Sequence, residues 1–111
     1  MGSRVTLRET QSLFAGLVGK LIVWVYEQGW ELTFGDFNRP DGHGHMPNSN
    51  HYIRLAADLN LFIGGEWKTS DCLEWQKIGA YWESLHDLCR WGGRFTQVDL
   101  NHFSLEWLGR A

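Results

Sequence analysis

Three side chains, His51, Asp58 and His102, are of the types that hold a divalent ion through nitrogen and oxygen while leaving one coordination position open. His51 precedes a strand-like run, Asp58 lies on that run, and His102 opens the last strand-like run. A catalytic zinc site typically takes three such ligands and leaves the fourth position to a water, which becomes nucleophilic near neutral pH. Asp99, shortly before His102, is placed to accept that water's proton as general base and to return it to a leaving amine. Arg39, in the loop ahead of His51, is the best-placed cation for the oxygen that turns negative in a tetrahedral intermediate. Asp58 stands between Ala56-Ala57 and Leu59, and a carboxylate in apolar surroundings is costly unless it is paired or bound to metal.

Other candidates fit this chemistry less well. His43 and His45 form a Gly-His-Gly-His segment, but a glycine loop holds ligands loosely, so they are expected at most to line a cleft. His86, beside Glu83 and Asp87, reads as a solvated surface residue. Cys72 and Cys89 read as two positions of one helix. At ~1.5 Å per residue that separates them by roughly 25 Å, too far for a disulfide. They are expected to be free thiols, and no base is evident that would make either a nucleophile.

The elements that must position these groups are legible in outline. Thr6-Leu-Arg-Glu9 has the form of a capping box, and Leu13, Leu17, Leu21 and Val25 then recur at helical spacing up to Gly29. Residues 30–34 alternate apolar and polar, as a strand with one buried face does. Residues 37–50 form a loop rich in Pro, Gly and Asn. Residues 53–62 return to strand character, and Gly64-Gly65 supplies a hairpin turn. Ser70 or Asp71 is expected to cap a second helix whose seam is Trp75, Ile78, Trp82, Leu85 and Cys89. Trp91-Gly-Gly-Arg-Phe95 closes it with a turn, with Trp91 read as packing beneath the site. Residues 102–107 alternate as a final strand. This order predicts a small α+β domain, a largely antiparallel sheet with two main helices packed on it and the ion in a cleft on the sheet.

Composition narrows the partners. The 111 residues fit one domain, residues 1–111, and a 43% hydrophobic content with seven tryptophans is globular. A formal charge of −3 lacks the basic stripe that nucleic acid demands and gives no attraction to anionic membranes. The most apolar stretch, residues 13–26, is interrupted by Lys20 and too short to span a bilayer, and no secretory signal is evident at the N-terminus. Met1-Gly2-Ser3 has the look of a cloning remnant as much as of a native start.

Taken in order, Ser49-Asn-His51, Leu55-Ala-Ala-Asp58-Leu-Asn-Leu-Phe62, Trp91-Gly-Gly-Arg-Phe95 and Asp99-Leu-Asn-His102-Phe103 resemble the motifs of the M15 peptidases. These are zinc D-alanyl-D-alanine carboxypeptidases and L-alanyl-D-glutamate endopeptidases. The resemblance runs from about Gly35 to Trp107. It implies Zn2+ held by His51, Asp58 and His102, Asp99 as catalytic base, Arg39 as the substrate or oxyanion contact, and Ser49 as a substrate contact. Three features depart from the pattern: Arg54 stands where many relatives have Gly, Ser104 replaces an acidic residue, and Pro40 follows Arg39 where Gln is common. The short form without a leader resembles the phage endolysin branch. That implies a monomer cutting the stem peptides of bacterial peptidoglycan, made in the host cytoplasm and reaching the wall through a membrane pore. The alternatives are a D-alanyl-D-alanine carboxypeptidase or dipeptidase and, in another class, a non-catalytic zinc-binding module. Retention of Asp99 argues against the last, since a structural zinc closes its fourth position with a protein ligand.

Overall fold

The computed structural model describes residues 5–35 and 50–111. Helix α1 (Leu7–Glu27) starts at the capping box: Thr6 Oγ1 accepts from the Glu9 N–H at 3.1 Å, and the Glu9 carboxylate accepts from the Thr6 N–H at 3.3 Å. The Thr6 hydroxyl, donating to the Glu9 carboxylate at 2.9 Å, and the Thr6 N–H hold the Glu9 carboxyl below its ordinary pKa. The helix buries Phe14, Leu17, Val18, Leu21 and Val25, whereas Leu13, the first position of the predicted stripe, is exposed. Gly29, at φ 87°, then turns the chain into strand β1 (Glu31–Phe34).

Strand β1 does not bury one face as its alternation predicts; three of its four residues are exposed and Leu32 is half-buried. The reason is its place at the edge of the sheet, whose order is β1-β2-β5-β4. Every pairing is antiparallel. Strand β2 (Ala56–Ile63) starts later than the apolar run predicts, because Asn50–Ile53 forms a turn of 3-10 helix before it. Strand β3 (Glu66–Trp67) folds back on β2 through Gly64 and Gly65, both at positive φ (58° and 82°), as a two-residue hairpin turn requires.

Helix α2 (Leu73–Leu85) is shorter at both ends than its seam predicts. Its N-cap is Cys72, not Ser70 or Asp71, and no side chain caps it. At the other end His86 takes an extended conformation, with φ −164° and ψ 149°. Its Nδ1 accepts from the Leu88 N–H at 3.0 Å and its carbonyl from the Cys89 N–H at 3.0 Å. His86 is therefore half-buried in a local turn and not a solvated surface residue. Cys89 lies in strand β4 (Cys89–Trp91), so the two cysteines are free thiols on different elements, not on one helix. Strand β5 (His102–Leu105) sits between β2 and β4 and is buried along its whole length.

One face of the sheet carries the core. Ala57, Leu59 and Leu61 of β2 and Phe103 and Leu105 of β5 meet both helices. Phe14 and Phe103 each set a ring edge-on to Trp82 at 5.9 Å, and the Trp82 indole N–H donates to the Arg90 carbonyl at 3.0 Å. Trp91 is fully buried against Gly79 of α2, and a Cβ on Gly79 would overlap its ring. Its indole N–H donates to the Leu100 carbonyl at 2.7 Å, which ties the segment before His102 to the core.

Gly79→Ala is expected to cost about 1–3 kcal/mol through overpacking against Trp91, read as a lower urea midpoint with an unchanged slope. Burial pushes the Cys89 thiol up to about 12, so below that pH it stays protonated and is no nucleophile. Thiol-specific labelling at pH 8 is expected to spare Cys89 in the folded protein and to modify it in denaturant, as mass mapping of the labelled peptides would show.

Candidate metal centre

The sheet's second face carries the polar chemistry. In the β2–β5 ladder Asp58 is the direct cross-strand partner of His102, so the two side chains rise from the same face as neighbours. His51 comes from the 3-10 turn ahead of β2. His51 Nε2 lies 3.2 Å and His102 Nδ1 lies 3.8 Å from Asp58 Oδ1. One ligand atom from each of the three residues falls within 4.8 Å of the others.

These donors suit a divalent ion of zinc's kind. Two ligand atoms that each sit ~2.0–2.1 Å from a tetrahedral ion stand roughly 3.3 Å apart, close to the 3.2 and 3.8 Å separations here. The set is two imidazoles and one carboxylate, with both histidines buried. Asp58 Oδ1 is itself buried and accepts no hydrogen bond among the described residues. A buried carboxylate oxygen without a donor is costly, and a cation answers that cost directly. Two imidazoles and a carboxylate suit zinc among other first-row divalent ions, and zinc is the identity proposed below.

Backbone contacts hold each of the three in place. The Asn50 side chain, fully buried, donates from Nδ2 to the Leu105 carbonyl at 2.7 Å and to the Arg110 carbonyl at 3.0 Å. Arg110 is presented by a tight turn in which Trp107 and Arg110 exchange backbone hydrogen bonds. Asn50 thus pins the 3-10 turn, and His51 with it, to the end of β5. The Gly35 N–H donates to the Asp58 carbonyl at 2.8 Å, and a Cβ on Gly35 would come within 3.0 Å of the Asp58 Cβ. Gly92 lies so close to the Asp99 carbonyl and the His102 Cβ that any side chain there would collide with both. Its own carbonyl accepts from the N–H of Phe95 at 3.1 Å and of Asp99 at 2.9 Å. Arg54 takes φ 56°, a left-handed conformation that favours glycine.

Asp99 stands beside the cluster, not in it. Its Oδ2 is 4.0 Å from His102 Nδ1, and its side chain is 52% exposed against 16% for Asp58. Two carboxylates with different access to water can divide two tasks, one holding an ion and the other moving a proton. Arg39 and Ser49 lie outside the described residues, as do His43 and His45. Asn50, Gly35 and Gly92 were given no role from sequence. Asn50 sits inside the Ser49-Asn-His51 motif, but its partners are 55 and 60 residues away.

The family model for D-alanyl-D-alanine carboxypeptidase of the M15 peptidases matches residues 42–105, more than half of the chain. No curated protein matches it.

Zinc present at a hundredfold excess over its dissociation constant is expected to stabilise the protein by about 2.7 kcal/mol, visible as a raised Tm that a chelator reverses. Asp58→Ala is expected to abolish that rise. Asn50→Ala leaves the buried Leu105 carbonyl and the part-buried Arg110 carbonyl without their donor, at about 1–3 kcal/mol, and is expected to weaken zinc binding in isothermal titration while His51 itself is retained.

Proposed function

As the chain belongs to the M15 D-alanyl-D-alanine carboxypeptidase family, we propose that it is a zinc-dependent hydrolase of peptide bonds in bacterial peptidoglycan. The observation that carries the reading is the cross-strand pair of Asp58 and His102, with His51 beside it and a half-exposed Asp99 at its margin. Zinc held by His51, Asp58 and His102 would polarise the scissile carbonyl and make water nucleophilic near neutral pH. The residues do the rest. Asp99 takes a proton from the attacking water and returns it to the departing amine, which its exposure and its place beside His102 permit. In this reading Arg39 offsets the developing negative charge and Ser49 contacts the substrate.

Among M15 reactions we favour cleavage inside the stem peptide, the L-alanyl-D-glutamate bond, as in an endolysin that acts on the wall of a phage host. Removal of a terminal D-alanine requires a cation for the free carboxylate. Among the described residues lining the cleft beside Asp99, the one cation is Lys68, and its ammonium is already held by Glu66 at 3.0 Å. The second reading is a D-alanyl-D-alanine carboxypeptidase, favoured by the description of the matched family model.

Mass spectrometry of muropeptides from digested peptidoglycan separates the two, since new N-terminal D-glutamate marks the endopeptidase and loss of terminal D-alanine the carboxypeptidase. Asp99→Asn is expected to keep one zinc per chain and to lose on the order of 10²–10⁴-fold in rate. Zinc content with unchanged wall clearance in that variant would sink the assignment of Asp99.

A further inference from the structure

A cleft of about 480 Å³ opens beside the metal centre, with Asp99 on one wall. Its other side is formed by the segment that leaves β3, including Trp67 and Ser70, and Asn60 and Asn101 also line it. Strand alternation puts Asp58, Asn60 and Phe62 on one face of β2, and Trp67 is the cross-strand partner of Phe62. A single row therefore leads from the candidate ligand Asp58 through an amide to an aromatic pair.

That pair has the form of a platform. Trp67 stacks on Phe62 with centroids 6.3 Å apart and planes 17° from parallel, yet it is 57% exposed. Exposing a large flat ring costs free energy unless a partner covers it, and its negative face suits polarised C–H groups. Beside it the Asn101 Nδ2 donates to Asn60 Oδ1 at 3.2 Å. This fixes both amides, and among the described residues Asn101 Oδ1 accepts no hydrogen bond. A flat aromatic face flanked by oriented amides and the Ser70 hydroxyl is the set of contacts that a pyranose ring with an acetamido substituent would use.

Resting on the reading of the protein as a peptidoglycan endopeptidase, we propose that Trp67 is a specificity residue that stacks the N-acetylated sugar carrying the stem peptide. Spacing decides between sugar and distant peptide. From Asp58 to Phe62 is four residues of strand, roughly 13 Å at ~3.3 Å each. A sugar one residue and a lactyl linkage from the scissile carbonyl falls near that distance. A sugar four residues away, as when the terminal D-alanine is removed, adds three residues at ~3.3–3.6 Å each and overshoots the platform. The subsite thus ties cleavage to the bond nearest the glycan.

The test compares an N-acetylmuramoyl stem peptide with the same peptide lacking the sugar, using the zinc-loaded protein. At least tenfold higher kcat/KM for the sugar-bearing substrate is expected, mostly in KM. Trp67→Ala should remove that advantage while leaving hydrolysis of the bare peptide within twofold. Equal rates on both substrates, or an equal loss on both in the variant, would overturn the proposal. A second measurement is independent of turnover: titration with N-acetylmuramoyl-L-alanine, followed through the indole N–H resonance assigned by Trp67→Phe. A saturable shift of that resonance supports the sugar subsite even if neither peptide is cut, in which case the endopeptidase reading alone falls. An unmoved resonance refutes the subsite.

Discussion

The register of β2 against β5 is the constraint on which the site depends. Asp58 faces His102 because Ala56 pairs with Ser104 and Ala57 with Phe103. A slip of β5 by one residue would send His102 toward the core and bring Phe103 to the polar face, separating His102 from Asp58. That alternative is excluded by packing, since Phe103 is fully buried between Trp75 and Trp82. The apolar face of the sheet therefore specifies the geometry of the polar face. The fit of two aromatic helices against β5 decides where a carboxylate and an imidazole meet on the other side.

The same logic extends to the loop that carries Asp99. Trp91 is held against Gly79, its indole donates to Leu100, and the Arg94 guanidinium covers its ring at 5.3 Å while bonding Glu83 at 2.8 Å. Gly92 then brings the backbone close enough for one carbonyl to anchor both Phe95 and Asp99. A buried aromatic and a residue without a Cβ thus replace the longer secondary structure that a larger domain would use. A domain of this size buries a modest share of its surface, so an ion bound here would also add stability where three elements of separate origin converge.

How much of this was legible in the sequence differs by residue. The α+β class and the first helix followed from periodicity, while of the residues that converge only Asp58, a carboxylate in an apolar run, stood out by itself. Their motifs also resembled a family. Strand β4 was hidden because Cys89 continues the step of Trp75, Ile78, Trp82 and Leu85, and no glycine or proline marks the stop. The break at His86 depends on its imidazole accepting the Leu88 N–H, a local turn that the spacing of apolar residues does not encode. Asn50 was hidden for a similar reason. A buried asparagine bonded to carbonyls at Leu105 and Arg110 has no local signature.

The two aspartates show why similar side chains acquire different tasks here. Asp58 lies within the ladder, where its main-chain carbonyl is held by Gly35 and its Oδ1 is shut off from water. Such a group gains from a fixed cation, since a buried carboxylate oxygen is costly until it is paired. Asp99 lies outside the ladder at the C-terminal side of a glycine-supported turn, half-exposed and 4.0 Å from a buried imidazole. It can change protonation without leaving a buried charge uncompensated, which a proton carrier must do in every cycle. Exchanging the two environments would give a poorer ligand and a poorer base. The division follows from the position of each carboxylate relative to the β2–β5 ladder.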